Sequence, residues 1–124
     1  MKRMLAAIGL AVLAASAAGC DDGQSDPLVS DDQSATNYDY DYFIPAGTGE
    51  RISAGEEIEI LPAELDVRVG EVIRIINEDS ESHVVGIFHV GANEVMTQRF
   101  MSEGEFIGAC SVHPSRQFTL RISG

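Results

Sequence analysis

Basic residues are scarce in this chain: 8 lysines and arginines stand against 20 aspartates and glutamates, a formal charge of −12 at neutral pH. That balance argues against a nucleic-acid partner and suits a basic protein surface. Cysteine is nearly absent, with only Cys20 and Cys110 in 124 residues. Histidine is limited to His83, His89 and His113, and no methionine follows Met101. There is no internal repeat, no glycine-rich phosphate loop and no amphipathic helical period, so phosphoryl transfer and dinucleotide binding have no support. The apolar run at residues 4–15 is too short to span a bilayer.

Lys2 and Arg3 precede that run, and Ala17, Ala18 and Gly19 lead into Cys20, the order of a secretory signal. Small residues before a cysteine resemble the bacterial lipobox, although Ala17 stands where leucine is preferred. The resemblance implies that residues 1–19 are removed and that Cys20 becomes a lipidated N-terminus on the periplasmic side. Asp21, directly after it, resembles a signal for retention at the inner membrane. Cys110 is then the one thiol of the mature globular part, so no internal disulfide is expected. In an oxidising compartment such a thiol needs burial or metal ligation.

After Cys20 the composition shifts. Asp21, Asp22, Asp26, Asp31, Asp32, Asp39 and Asp41 are set among Ser, Gln, Gly and Pro, with no basic residue as far as residue 42. Residues 20–42 therefore read as an acidic flexible tether, with a reach on the order of 25 Å. Tyr42 and Phe43 would begin to dock onto the domain. Loss of Lys2 and Arg3 with the signal would take the charge to about −14.

Residues 43–124 carry a period of two. Leu65, Val67 and Val69 alternate with Asp66 and Arg68; Ile73 and Ile75 flank Arg74; Phe118, Leu120 and Ile122 alternate with Thr119 and Arg121. Turn residues recur at short intervals, at Gly70-Glu71, residues 77–82, residues 91–93 and residues 102–104. The pattern predicts an all-β sandwich or barrel with one core.

Cys110 and His113 form a Cys-x2-His pair, and His83 lies upstream on a strand-like segment. One thiolate and two imidazoles are the donor set of a mononuclear copper electron-transfer site. Pro114 stiffens the exit of the loop between Cys110 and His113. His89 reads as an ordinary surface or structural histidine, and Met96 and Met101 as gap-fillers, with an axial role for either left open.

The stretch from Val67 through Asn77 to His83, together with Gly104 through Cys110 to Pro114, resembles the cupredoxin family in its plastocyanin and amicyanin branch, over residues 58–122. That resemblance implies a Greek-key β-sandwich with one copper ion at one end, ligated by His83, Cys110 and His113. It implies a non-enzymatic, monomeric carrier of single electrons, with the exposed edge of His113 as its port and a basic cytochrome as a natural partner. Copper delivery or storage, or a metal-free cupredoxin-fold binding module, are the alternatives. The chain departs from the pattern twice. Arg116 stands at the amicyanin axial methionine, and a guanidinium cannot ligate. Gln117, at the azurin offset, is the candidate axial ligand, while the plastocyanin offset falls on Phe118 and would leave that position empty. Val84 replaces an asparagine that ties the two ligand loops together in many cupredoxins, so that tie must come from elsewhere; Ser111 is a candidate to hydrogen-bond near the site.

Overall fold

The computed structural model describes residues 27–124. The signal segment, Cys20 and the first part of the acidic stretch lie outside the described residues. Nine strands and one short helix follow in the order β1 (Val29–Asp31), β2 (Tyr40–Ile44), α1 (Thr48–Ser53), β3 (Glu64–Arg68), β4 (Val72–Asn77), β5 (His83–Val85), β6 (Phe88–Val90), β7 (Val95–Phe100), β8 (Gly104–Ala109) and β9 (Gln117–Ser123). One sheet has the order β1-β7-β4-β2 and a second β3-β9-β8, while β5 and β6 form a separate hairpin. The two larger sheets share a single apolar core, to which β4 gives Ile73 and Ile75, β7 gives Phe100, and β9 gives Phe118 and Leu120. This is the expected all-β sandwich.

Alternation decides which face each strand buries. In β3, Leu65 and Val67 are buried between exposed Glu64, Asp66 and Arg68; in β9, Phe118, Leu120 and Ile122 are buried while Gln117, Arg121 and Ser123 are exposed. Val69, expected to continue the first series, lies beyond β3 and is exposed, because Gly70 turns the chain at φ +94°. Two pairings are parallel, β2 with β4 and β3 with β9. Parallel neighbours need long crossovers, which here run from one sheet to the other.

The tether expectation is corrected from residue 27 onward. β1 pairs antiparallel with β7, and β2 pairs parallel with β4, from Tyr40 opposite Ile73 to Ile44 opposite Asn77. The ordered unit therefore begins before residue 43. Composition misled because it averages over a period-two pattern in which Tyr40, Tyr42 and Ile44 turn toward the core while Asp41 and Phe43 turn outward. The aspartates also have partners across the sheet. Asp41 accepts from Arg74 Nε at 2.9 Å, Asp32 accepts from Arg99 Nε at 2.8 Å, and Asp39 accepts from the Val72 N–H at 2.8 Å. The Arg74 guanidinium also lies over the Tyr38 ring, 4.1 Å from its centroid. The helix α1 was likewise not expected. Six residues are too few to show a helical period, and Gly47, with φ +85°, starts it without a side-chain cap.

Tyr40 tests whether this N-terminal segment belongs to the fold. Its hydroxyl reaches Glu71 Oε1 at 3.1 Å and the Asp66 carbonyl at 3.3 Å. Burial first, and then the Glu71 carboxylate, push the phenol up to about 12 from its ordinary 10.0. A value raised on folding means that the stabilisation is whole below pH 10 and is lost as pH climbs toward 12. Tyr40→Phe should cost about 0.5–1.5 kcal/mol at neutral pH and should flatten the alkaline fall in stability. Urea unfolding across that pH range measures both, and curves that coincide for the two proteins would detach Tyr40 from the fold. In the core, Ile75→Ala should cost about 2–5 kcal/mol in the same assay.

Candidate metal centre

The site is built from the end of β4. Asn77 is buried, and its Nδ2 donates to the carbonyls of Glu81 at 2.9 Å and Gly91 at 3.0 Å, while its Oδ1 accepts from the Asp79 N–H at 2.9 Å. These bonds curl residues 78–82 back over the strand end and carry the Asp79 carboxylate inside. Asp79 accepts from the N–H of Gly49 at 2.7 Å, of Ser80 at 2.9 Å and of Gly47 at 3.2 Å, so the start of α1 is fastened to it. The approach is close enough that a Cβ at Gly49 would stand 3.0 Å from Asp79 Oδ2. Burial pushes the Asp79 carboxyl up; the hydrogen bonds from His83 and from these amides outweigh burial and hold it below its ordinary 3.8.

His83 opens β5 with 3% of its surface exposed. Its Nε2 is 2.8 Å from Asp79 Oδ2, and its Nδ1 is 3.0 Å from Ser111 Oγ. Asp79, His83 and Ser111 thus form one line. Ser111 also takes the role left open by Val84: its N–H donates to the Val84 carbonyl at 2.9 Å, and its Oγ accepts from the Val84 N–H at 3.2 Å. Val85 and Cys110 form an antiparallel bridge, and the Gly86 N–H donates to the Ala109 carbonyl at 2.7 Å. The structure therefore brings the His83 strand directly beside the Cys110 loop.

Cys110 follows β8 and turns into the apolar core, 2% exposed. Burial pushes its thiol above the ordinary 9.0, only partly offset by the Val112 amide. The protection expected for a lone thiol is thus provided by packing. The loop to β9 closes through Arg116, which adopts φ +61° and links the Cys110 N–H to its own carbonyl at 3.0 Å and its own N–H to the His113 carbonyl at 3.0 Å.

His113 sits in that loop but is engaged locally. Its Nδ1 is 2.7 Å from Ser115 Oγ and 3.0 Å from the Ser115 amide, and its Nε2 is 3.6 Å from Glu59 Oε1. Its side chain is 14% exposed, beside a cleft lined by Ile52, Glu56, Glu57, Ile58 and Arg116, so the freely exposed edge expected of it is largely covered. Gln117 does not join the group. It opens β9 on the outward face, with Arg121 and Ser123, whereas the next residue, Phe118, points into the core; a period of two cannot put Gln117 on the Cys110 side. Met96 packs against the core, Met101 is exposed at the start of a turn, and His89 is on the surface.

In kind, the donors fit a copper ion: a thiol, two imidazoles, and a carboxylate behind one of the imidazoles. In placement they do not close around one. Among the described residues no three His, Cys, Asp or Glu side chains are grouped so as to hold a metal. The residues that sequence reasoning missed are Asp79 and Asn77. Their signal was an Asn-x-Asp within a loop ahead of a histidine, which has no periodicity to mark it.

No family model matches the chain, and no curated protein matches it. Among solved structures it is similar to the crystal structure of amicyanin from Paracoccus versutus (Thiobacillus versutus), at 12% identity and a TM-score of 0.48, over 78% of this chain and 99% of that one. It is similar also to a reduced Cu(I) form of an amicyanin mutant at pH 4, at 15% identity and a TM-score of 0.47, over 77% and 99%. A likeness at this level carries no residue role across.

Gly86 gives a test of how the segments carrying His83 and Cys110 are held together. It has φ +57°, and a Cβ there would stand 2.7 Å from Phe118 Cδ1. Gly86→Ala should destabilise the protein by about 1–3 kcal/mol, read as a lower melting temperature. An unchanged melt would mean that the approach of β5 to the Cys110 strand is not constrained at this point.

Proposed function

We propose that the protein is a copper-binding carrier of single electrons, working at the His83 and Cys110 end of the sandwich. The observation that carries this reading is His83 itself. It is buried, a carboxylate stands on one ring nitrogen, and the other nitrogen faces the residue next to Cys110. Metal-ligating histidines are typically backed by a carboxylate or carbonyl in this way. Copper, when bound, would supply a Cu(II)/Cu(I) couple; the chain supplies a fixed imidazole, a thiol shielded from solvent, and two loops tied by Ser111. Cleavage before Cys20 and its lipidation would keep the carrier at the periplasmic face of the membrane, as a monomer.

A second reading is a metal-free binding module on the same fold. It is favoured by the internal satisfaction of the site: Ser111 and Ser115 occupy the Nδ1 atoms of His83 and His113, and among the described residues no buried polar side-chain atom lacks a partner. Addition of Cu(II) to the purified protein separates the two. Thiolate-to-copper charge transfer should give intense visible colour, and Cys110→Ser should abolish it while leaving the circular dichroism intact. A colourless wild-type protein that takes up no copper would sink the carrier reading and leave the module.

The partner follows from charge. With a formal charge of −12 over the whole chain, association with a basic redox protein should be steered electrostatically and should slow as salt shortens the Debye length. Stopped-flow oxidation of the reduced, copper-loaded protein by a basic cytochrome, repeated across a salt series, should show a rate falling steeply with ionic strength. Tight copper binding with no electron exchange would instead assign the site to copper delivery or storage.

A further inference from the structure

We infer that Asp79 is the positioning residue of the site: its buried carboxylate fixes His83 in the Nε2–H tautomer, so that Nδ1 is the nitrogen presented toward the Cys110 loop. The argument is a count of hydrogens. Asp79 is 1% exposed, and its two oxygens receive the N–H groups of Gly47, Gly49 and Ser80. A carboxylate among so many donors is an acceptor at every contact, so the hydrogen in the 2.8 Å bond to His83 is on Nε2. In the neutral ring Nδ1 then carries a lone pair. Its neighbour is compatible with that assignment. Ser111 Oγ accepts from the Val84 N–H at 3.2 Å and has one hydrogen to give, and with a lone pair on Nδ1 that hydrogen can take the 3.0 Å contact to the ring in preference to the Val84 carbonyl at 3.4 Å.

The same carboxylate gives the start of α1 a reason to be where it is. Gly47 donates to Asp79 Oδ1, and Gly49 and His83 both donate to Oδ2, so the segment between β2 and β3 and the imidazole share one anchor. Loosening the carboxylate would free both the ring and the segment that flanks it. A residue that merely filled space at position 79 would do neither.

The inference rests on the copper reading only for what Nδ1 binds, and its test does not need copper. Long-range proton–nitrogen NMR of the metal-free, nitrogen-15-labelled protein at neutral pH reports which ring nitrogen of His83 is protonated. A single Nε2–H pattern is expected; an Nδ1–H ring, or an average of the two, would overturn the assignment in the wild type, whether or not any variant folds. Asp79→Asn should lose the single-tautomer pattern, because an amide can accept from Nε2 or donate to it; Ser111→Ala, which leaves Asp79 in place, should keep it. A folded Asp79→Asn protein that still shows only Nε2–H would overturn the role of the carboxylate. Anaerobic Cu(I) added to the wild type should move the Nδ1 resonance, and Asp79→Asn should lower its apparent affinity by about 10–100-fold. If Cu(I) moves neither nitrogen while the metal-free tautomer is as stated, the copper reading fails and the role of Asp79 stands; if Cu(I) binds to a ring that is Nδ1–H without it, the role of Asp79 fails alone.

Discussion

The candidate site hangs from one continuous run of buried hydrogen bonds. Asn77 holds the amide of Asp79, Asp79 holds Nε2 of His83, and Nδ1 of His83 meets Ser111, with Asn77, Asp79 and His83 all nearly inaccessible to water. Polar groups in such a setting must be satisfied together, since one missing partner leaves a desolvated donor or acceptor that costs about 1–3 kcal/mol. The run begins at the last residue of β4 and ends in the loop after β8, so it joins one sheet to the other where the candidate ligands lie. The apolar core closes the sandwich; this polar line determines which way its end points.

A rigid end has consequences for any chemistry there. The β5 strand is held to the Cys110 loop by the Val85 bridge, the Gly86 amide and both polar groups of Ser111, so the backbones that carry His83 and Cys110 are tied at several points. His113 is different in kind. It shares a loop with Cys110, but its contacts are to Ser115 and, across 3.6 Å, to an exposed Glu59. The site therefore has two fixed donors and a third whose partners are local or facing solvent.

Much of the fold was legible because alternation is a local signal. Phe118, Leu120 and Ile122 announce β9 without reference to any neighbour, and Ile73 and Ile75 do the same for β4. Spacing marked Cys110 and His113 as a pair, and the fold puts both between β8 and β9 while the His113 ring turns to Ser115 and Glu59. What the sequence did not disclose depends on partners distant along the chain. The acidic stretch contains strands because β7 and β4, dozens of residues away, pair with it and because Tyr40, Tyr42 and Ile44 reach the core. The outward face of Gln117 was not legible, because an offset from a histidine says nothing about which face of a strand a side chain takes. Asp79 was overlooked for the same reason: its importance comes from Gly47, Gly49 and His83 converging on it, and only the fold brings them together.

Among the described residues every buried polar side-chain atom already has a partner, and that would bear on which metal the site could take. Each imidazole Nδ1 is occupied by a serine hydroxyl, and Cys110 is packed among apolar side chains, so a metal would gain nothing by merely filling a void. It would have to displace two hydroxyl contacts and take the proton from a thiol whose ionisation burial disfavours. An ion preferring oxygen ligands has little to offset that cost, whereas one that binds nitrogen and sulfur strongly does. If a metal binds there as proposed, the serines would act as a threshold on the site, and the softness of the donor set would decide which ions cross it.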